Sequence, residues 1–136
     1  MRYEPYEEEY AAVPNMTDEE LLEYFMYRIF ETDEVWGLKE TANHLFTRRI
    51  DGVETLPIWP YRRYAAESAI GDWQHLVPAA DSLDFFIYQT LNKMAAQDIT
   101  IEILPRASAP GCLISPTRLF GFLDNMKESR DFVLDD

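Results

Sequence analysis

The sequence predicts one α+β domain, with a mostly antiparallel sheet of about four to six short strands packed against about four helices. Three observations predict it. Helix-start signals stand at Thr17, Ser82 and Ser115, each followed by apolar residues at helical spacing. Asp51-Gly52 lies between two β-type runs, and both residues tolerate the positive φ of a tight hairpin. The run 99–104 alternates cleanly and is followed, after a Pro/Gly loop, by Cys112-Leu113-Ile114.

The elements follow in order. Residues 1–16 are rich in Glu and Tyr, hold Pro5 and Pro14, and show no period, so they are expected to form an acidic flexible tail. Tyr3, Tyr6 and Tyr10 are its candidates for contact with the body. The domain is expected to span 17–128. Thr17-Asp18-Glu19-Glu20 is a capping box: the threonine accepts from the amide three residues on, and Glu20 reaches back. Leu22, Phe25, Met26 and Ile29 form the stripe of that helix, which is expected to end near Phe30 or Glu31. Val35-Trp36-Gly37-Leu38 reads as a short strand, and 44–50 as another. Val53 to Trp59 returns from the Asp51-Gly52 turn. Pro57 has no N–H for a ladder, so this strand is expected to be at an edge or short.

Pro60 suits a helix start. In 61–70, Tyr61, Tyr64, Ala65 and Ser68 share a face, and Arg63 and Glu67 stand four apart as an ion pair would. Gly71 is a stop, and 72–77 is expected to be extended. Ser82 caps a third helix with the stripe Leu83, Ile87, Leu91 and Met94, Phe86 and Thr90 beside it, ending near Gln97-Asp98. Strand 99–104 and strand 112–114 are expected to pair antiparallel. Ser115-Pro116, a cap with Pro in the first turn, opens a last helix with the stripe Leu119, Phe122, Leu123 and Met126. Residues 129–136 are expected to fray. There is no internal repeat and no linker.

The chain of 136 residues is 47% hydrophobic and 14% aromatic, enough for one core without a disulfide or metal. Its single cysteine, Cys112, excludes an intrachain disulfide. Residues 1–9 show no apolar secretion signal. The longest run free of charge, 107–117, holds Pro110, Gly111 and Pro116, which does not make a membrane span. The expectation is a cytoplasmic protein with no membrane partner, and the Asn15-Met16-Thr17 sequon is read as chance. Net charge is −13. Residues 1–23 carry one Arg and eight acids, and residues 124–136 two bases and five acids, so the ends hold most of it. Nucleic acid is therefore not expected as a partner.

At this point a resemblance emerges. Glu34-Val35-Trp36-Gly37-Leu38, Leu56-Pro57-Ile58-Trp59-Pro60, Gly71-Asp72-Trp73, Leu83-Asp84-Phe85-Phe86 and Ile114-Ser115-Pro116, in this order and spacing, resemble the bacterial domain of unknown function 2750 family over residues 20–124. The resemblance implies a small bacterial protein. It implies no activity and brings no functional residues.

The chemistry-bearing residues form no enzyme pattern. Two histidines, His44 and His75, with Cys112 match no zinc spacing and read as ordinary surface or half-buried residues. Cys112, in Gly-Cys-Leu-Ile, reads as a buried small hydrophobe rather than a nucleophile. No glycine pattern cradles a phosphate or dinucleotide, so no cofactor is expected. Asp33 and Glu34 are adjacent acids at a helix end. What stands out is the middle segment: Trp36, Trp59, Tyr61, Trp73 and Tyr64 accompany Arg48, Arg49, Arg62 and Arg63. These are the residue types of binding hot spots, and equally of a core with a solvated arginine face. Trp59, held between Pro57 and Pro60, is expected to be core with Arg62 and Arg63 at the rim of a functional face. The first functional expectation is a non-enzymatic interaction or adaptor protein, in one form an immunity-like neutraliser of a basic protein. The alternative is a small-ligand domain, or an enzyme of unfamiliar type, with a cleft near Trp59, Arg62 and Arg63.

Overall fold

The computed structural model describes residues 4–41, 44–106 and 109–134, and of these the side chains at 41, 44 and 130–134 are not described. Tyr3, the His44 side chain, 107–108 and 135–136 therefore lie outside the described residues. The element order is α1 (Glu7–Ala12), a 3-10 turn (Val13–Asn15), α2 (Asp18–Thr32), β1 (Glu34–Thr41), β2 (His44–Leu45), β3 (Arg48–Ile50), β4 (Val53–Ile58) and α3 (Arg62–Ser68). A second 3-10 turn (Gly71–Trp73) leads to β5 (Val77–Ser82), then α4 (Leu83–Phe85), a π-helical turn (Phe86–Thr90), α5 (Leu91–Ala96), β6 (Thr100–Ile103), β7 (Cys112–Ile114) and α6 (Pro116–Leu134). This is an α+β domain.

Local signals set the helix starts. The Thr17 box closes in both directions: Thr17 Oγ1 accepts from Glu20 N at 3.2 Å and Glu20 Oε1 from Thr17 N at 2.9 Å. Ser82 Oγ accepts from Phe85 N, and Ser115 Oγ from Arg118 N. The stripes point inward: Phe25, Ile29, Leu83, Ile87, Leu91, Met94, Leu119 and Leu123 are all buried. On α2 Leu21, not Leu22, is the fully buried leucine, so its face is rotated slightly from the expected one.

The strands form two sheets, not one. Sheet A has the order β2-β1-β5 and sheet B the order β3-β4-β6-β7. β6 and β7 are antiparallel, with Ile101 opposite Ile114 and Ile103 opposite Cys112. β4 and β6 are parallel, Thr55 to Thr100. The Asp51-Gly52 hairpin joins β3 to β4, with φ of 49° and 83° at the two turn residues. The expected strand 44–50 is split. Its first half pairs with β1 in sheet A and its second half with β4 in sheet B, the chain crossing between sheets at Phe46-Thr47. The sheets touch along one seam, where Trp36 and Trp59 exchange backbone hydrogen bonds of 2.9 and 2.8 Å.

β4 lies inside sheet B, yet β3 pairs with it only at Val53, Glu54 and Thr55, so Pro57 sits where β6 is its one ladder partner. Residues 72–77, expected extended, instead start in the second 3-10 turn, closed by Trp73 N to Ile70 O at 3.0 Å. The strand begins where extension was expected to stop and runs through Pro78. β5 is the edge of sheet A, where a missing N–H is tolerated.

Both ends are more structured than the sequence pattern indicated. The stretch expected to be a tail carries α1 and is laid against α2 and α3. Tyr10 stacks on Tyr64 at 5.7 Å, its hydroxyl donates to Glu67 at 2.6 Å, and Arg63 covers its ring at 3.7 Å. Arg28 Nε donates to Glu9 at 2.9 Å, and Val13 is buried. A single Tyr at each contact leaves no period to read. At the other end α6 continues to Leu134, through the stretch expected to fray from 129.

Candidate functional site

The aromatic-arginine segment divides. Trp59 is fully buried, its indole N–H donating to Pro105 O at 3.0 Å, and Tyr61 is buried beside it. Trp36 is half-buried in the seam. Arg62 and Arg49 are exposed; Arg49 reaches Glu54 and Gly52 O across its own hairpin. Arg63 is held between Glu67 and Glu7, at 3.4 and 3.5 Å. The expectation of a core Trp59 flanked by surface arginines therefore matches the geometry, and neither the clefts nor the cavity described below is lined by Trp59, Arg62 or Arg63.

Arg48 and Trp73 do meet. The Arg48 guanidinium lies 4.9 Å from the Trp73 ring centre, and Phe46 packs edge-on against the same ring. Arg48 grips Glu102 with two hydrogen bonds, one of 2.9 Å from Nε. Glu102 has no solvent exposure and also accepts from Gly111 N at 3.0 Å. Such a carboxylate is tolerable only because three donors converge on it. Beside it runs a cleft of about 290 Å³ edged by Arg48, Ser68, Trp73 and Arg106. It continues through Ser68, Pro105 and Arg106 into a groove of about 210 Å³ beneath Tyr10 and Val13. Arg106 directs one guanidinium nitrogen at the carbonyls of Val13, Pro14 and Met16 and the other at Pro110 O. Both cleft arginines are thus engaged by the protein itself, one by a carboxylate and one by carbonyls at the end of a 3-10 turn.

Glu102 and Arg106 were not legible as site residues. Alternation in 99–104 puts Glu102 on the face opposite Ile101 and Ile103, but nothing local says that this face is covered.

A larger cavity, about 500 Å³, opens between sheet A and the helix 83–96. Phe85, Gln89, Lys93 and Gln97, four residues apart, make one wall; Lys39, Leu45 and Asp81 belong to the opposite side. Sequence reading missed it, because its walls come from separate parts of the chain.

Cys112 is buried, and burial, then Asp18, push its thiol pKa up, which keeps it protonated and unreactive at neutral pH. His75 is exposed. No group of three or more potential metal ligands occurs among the described residues. No helix among them is long and apolar enough to cross a membrane.

The third surface is acidic. Residues 4–34 hold eleven acids against Arg28 alone, and Arg28 is paired with both Glu9 and Glu31. Glu19, Glu20, Glu23 and Glu31 are exposed on α2, and Tyr27, 58% exposed, stands four residues from Glu23 and from Glu31.

No curated protein and no solved structure matches the chain. A family model does, over residues 22–122, the stretch that holds both sheets, the seam and the cavity. On that match the chain belongs to the family described as protein of unknown function (DUF2750).

Proposed function

We propose that the chain is a non-enzymatic interaction protein of the bacterial cytoplasm that captures a basic protein on the outer face of α1 and α2. The observation that supports this is the concentration of charge: eleven acids and one already paired arginine over residues 4–34, around an exposed Tyr27. A single-sign surface speeds encounter with an oppositely charged partner, and a half-exposed tyrosine is the type of anchor that holds it. An immunity-like neutraliser of a basic protein is one form this takes. Nucleic acid and anionic lipid are repelled by the same surface.

The test is a pull-down from the source cells with the intact chain and with a Glu19→Gln, Glu23→Gln, Tyr27→Ala variant. All three side chains are exposed, so the fold is unaffected. A basic protein retained by the intact chain, released by about 0.5 M salt and lost with the variant is the expected result. Equal retention by both chains removes the proposal.

A further inference from the structure

We propose that the groove under the N-terminal arm, residues 4–16, is a docking site for an acidic peptide of a protein partner carrying Tyr-x-x-Val-Pro, and that the arm is its resident, displaceable occupant.

The division of the chain comes first. Tyr64, Glu67, Ser68, Leu104, Pro105 and Arg106 wall the groove and all fall inside the family-matched stretch 22–122. Tyr10, Val13 and Pro14, which cover it, fall outside that stretch.

Recognition comes second. Tyr10 is a clamped ring: stacked on Tyr64, covered by Arg63 and hydrogen-bonded through its hydroxyl to Glu67. Stacking, a cation–π contact and a charged acceptor act together on one side chain, which makes it an anchor. Val13, three residues on, is 2% exposed. Arg106 Nη1 donates to the carbonyls of Val13, Pro14 and Met16, at 3.4, 3.3 and 3.2 Å. These are main-chain atoms, so Arg106 reads the path of a backbone, and Pro14 narrows that path. A peptide on the same path presents the same acceptors. Charge is complementary as well: Glu7 and Glu9 of the arm meet Arg63 and Arg28, at 3.5 and 2.9 Å.

The arm is an incomplete fit. A volume of about 210 Å³ stays open beneath Tyr10 and Val13 and runs on into the cleft at Trp73. Arg106 Nε is buried and has no hydrogen-bond partner among the described residues. The arm joins α2 through Met16 and Thr17, both extended, with ψ of 144° and 167°. Thr17 caps α2 with its own side chain, so the arm can leave without uncapping the helix. An outside peptide has to overcome only the effective concentration of the tethered arm, millimolar for a short link. Glu19, Glu23 and Tyr27 do not line this groove, so it stands apart from the outer face of α2.

The probe is a fluorescein-labelled synthetic peptide of residues 4–16, followed by anisotropy and by backbone amide shifts of the full-length chain. A Tyr10→Ala chain, its own arm loosened, is expected to bind the peptide at least about tenfold more tightly than the intact chain. Tyr10→Phe, which loses only the hydrogen bond to Glu67, is the gentler second variant and is expected to lie between them. Shifts are expected to centre on Tyr64, Glu67, Ser68 and Arg106. A peptide with the Tyr10→Ala change is expected not to bind. Gel filtration separates a partner's peptide from the arm of a second copy: the intact chain is expected to run as a monomer. A dimer dissolved by Tyr10→Ala would assign the groove to a second copy and overturn the proposal. So would no binding by either variant, equal binding by variant and intact chains, equal binding of the altered peptide, or shifts centred elsewhere.

Discussion

Glu102 and Gly111 show how narrow the tolerance is at a single residue. A β-carbon at Gly111 would stand 2.2 Å from Ile103 O and 2.7 Å from Pro105 N, both backbone atoms that cannot swing aside. The Gly111 amide is also one of the three donors on buried Glu102. Gly111→Ala is therefore expected to destabilise the fold by about 3 kcal/mol in urea titration. Gly121, on α6, has nothing within 4 Å of the same position, and Gly121→Ala is expected to stabilise by about 0.5–1 kcal/mol. Equal effects at the two sites would contradict the crowding assigned to Gly111. Tyr24 and Tyr64 are a second pair of this kind, their hydroxyls hydrogen-bonded at 3.0 Å. Burial, and then the bond to Tyr64, raises the Tyr24 pKa far above its ordinary value, and burial pushes Tyr64 up to about 12. In the unfolded chain both titrate near 10. The unfolded chain thus releases its protons first as pH rises. Their contribution to stability is complete below pH 10 and declines from there toward 12. The urea midpoint of the native chain is expected to fall more steeply between pH 9.5 and 11.5 than that of a Tyr24→Phe, Tyr64→Phe chain. Parallel curves would refute it.

Elements were legible where the chain dictates them locally. Thr17, Ser82 and Ser115 each supply the acceptor for their own helix start, so those starts fall at the expected residues. Asp51-Gly52 supplies its own turn. Elements were illegible where a distant partner decides. Nothing within 44–50 tells Leu45 to pair with Lys39 and Arg48 to pair with Thr55. Nothing within 1–16 tells Tyr10 that Tyr64 and Glu67 await it. The cavity is the same case, since Lys39 and Lys93 are 54 positions apart. α1 and the 3-10 turn after it have a measurable consequence. They add a stacked tyrosine, a buried Val13 and the carbonyls that Arg106 collects. Burial of a valine side chain alone contributes about 1.5–3 kcal/mol. Deleting residues 1–16 is expected to lower the melting temperature by roughly 10 °C or more. An unchanged melting temperature would mean that the segment stays a tail in solution.

Across the whole molecule, charge and topology are laid out on different plans. Charge is uneven: residues 4–34 hold eleven of the 25 acids with one arginine, while two of the three lysines line the cavity on sheet A. Topology is interleaved. β1 and β2 enter sheet A, β3 and β4 enter sheet B, β5 returns to sheet A, and β6 and β7 finish sheet B. Neither sheet is contiguous in sequence, and the Trp36–Trp59 seam ties them together. This alternation has a consequence in time. The β3–β4 hairpin is local and closes in about 1–10 μs. Its parallel neighbour β6 pairs with it 45 positions further along, after β5 has been committed to the other sheet. Loop closure of that length comes before any reward, which places the chain toward the slow end of folding for its size. On a ribosome the order is stricter still. Until residues 100–114 have left the exit tunnel, β4 has an open edge and the nascent chain holds a hairpin and an unfinished sheet, so the last strands to be made are those that let the domain close.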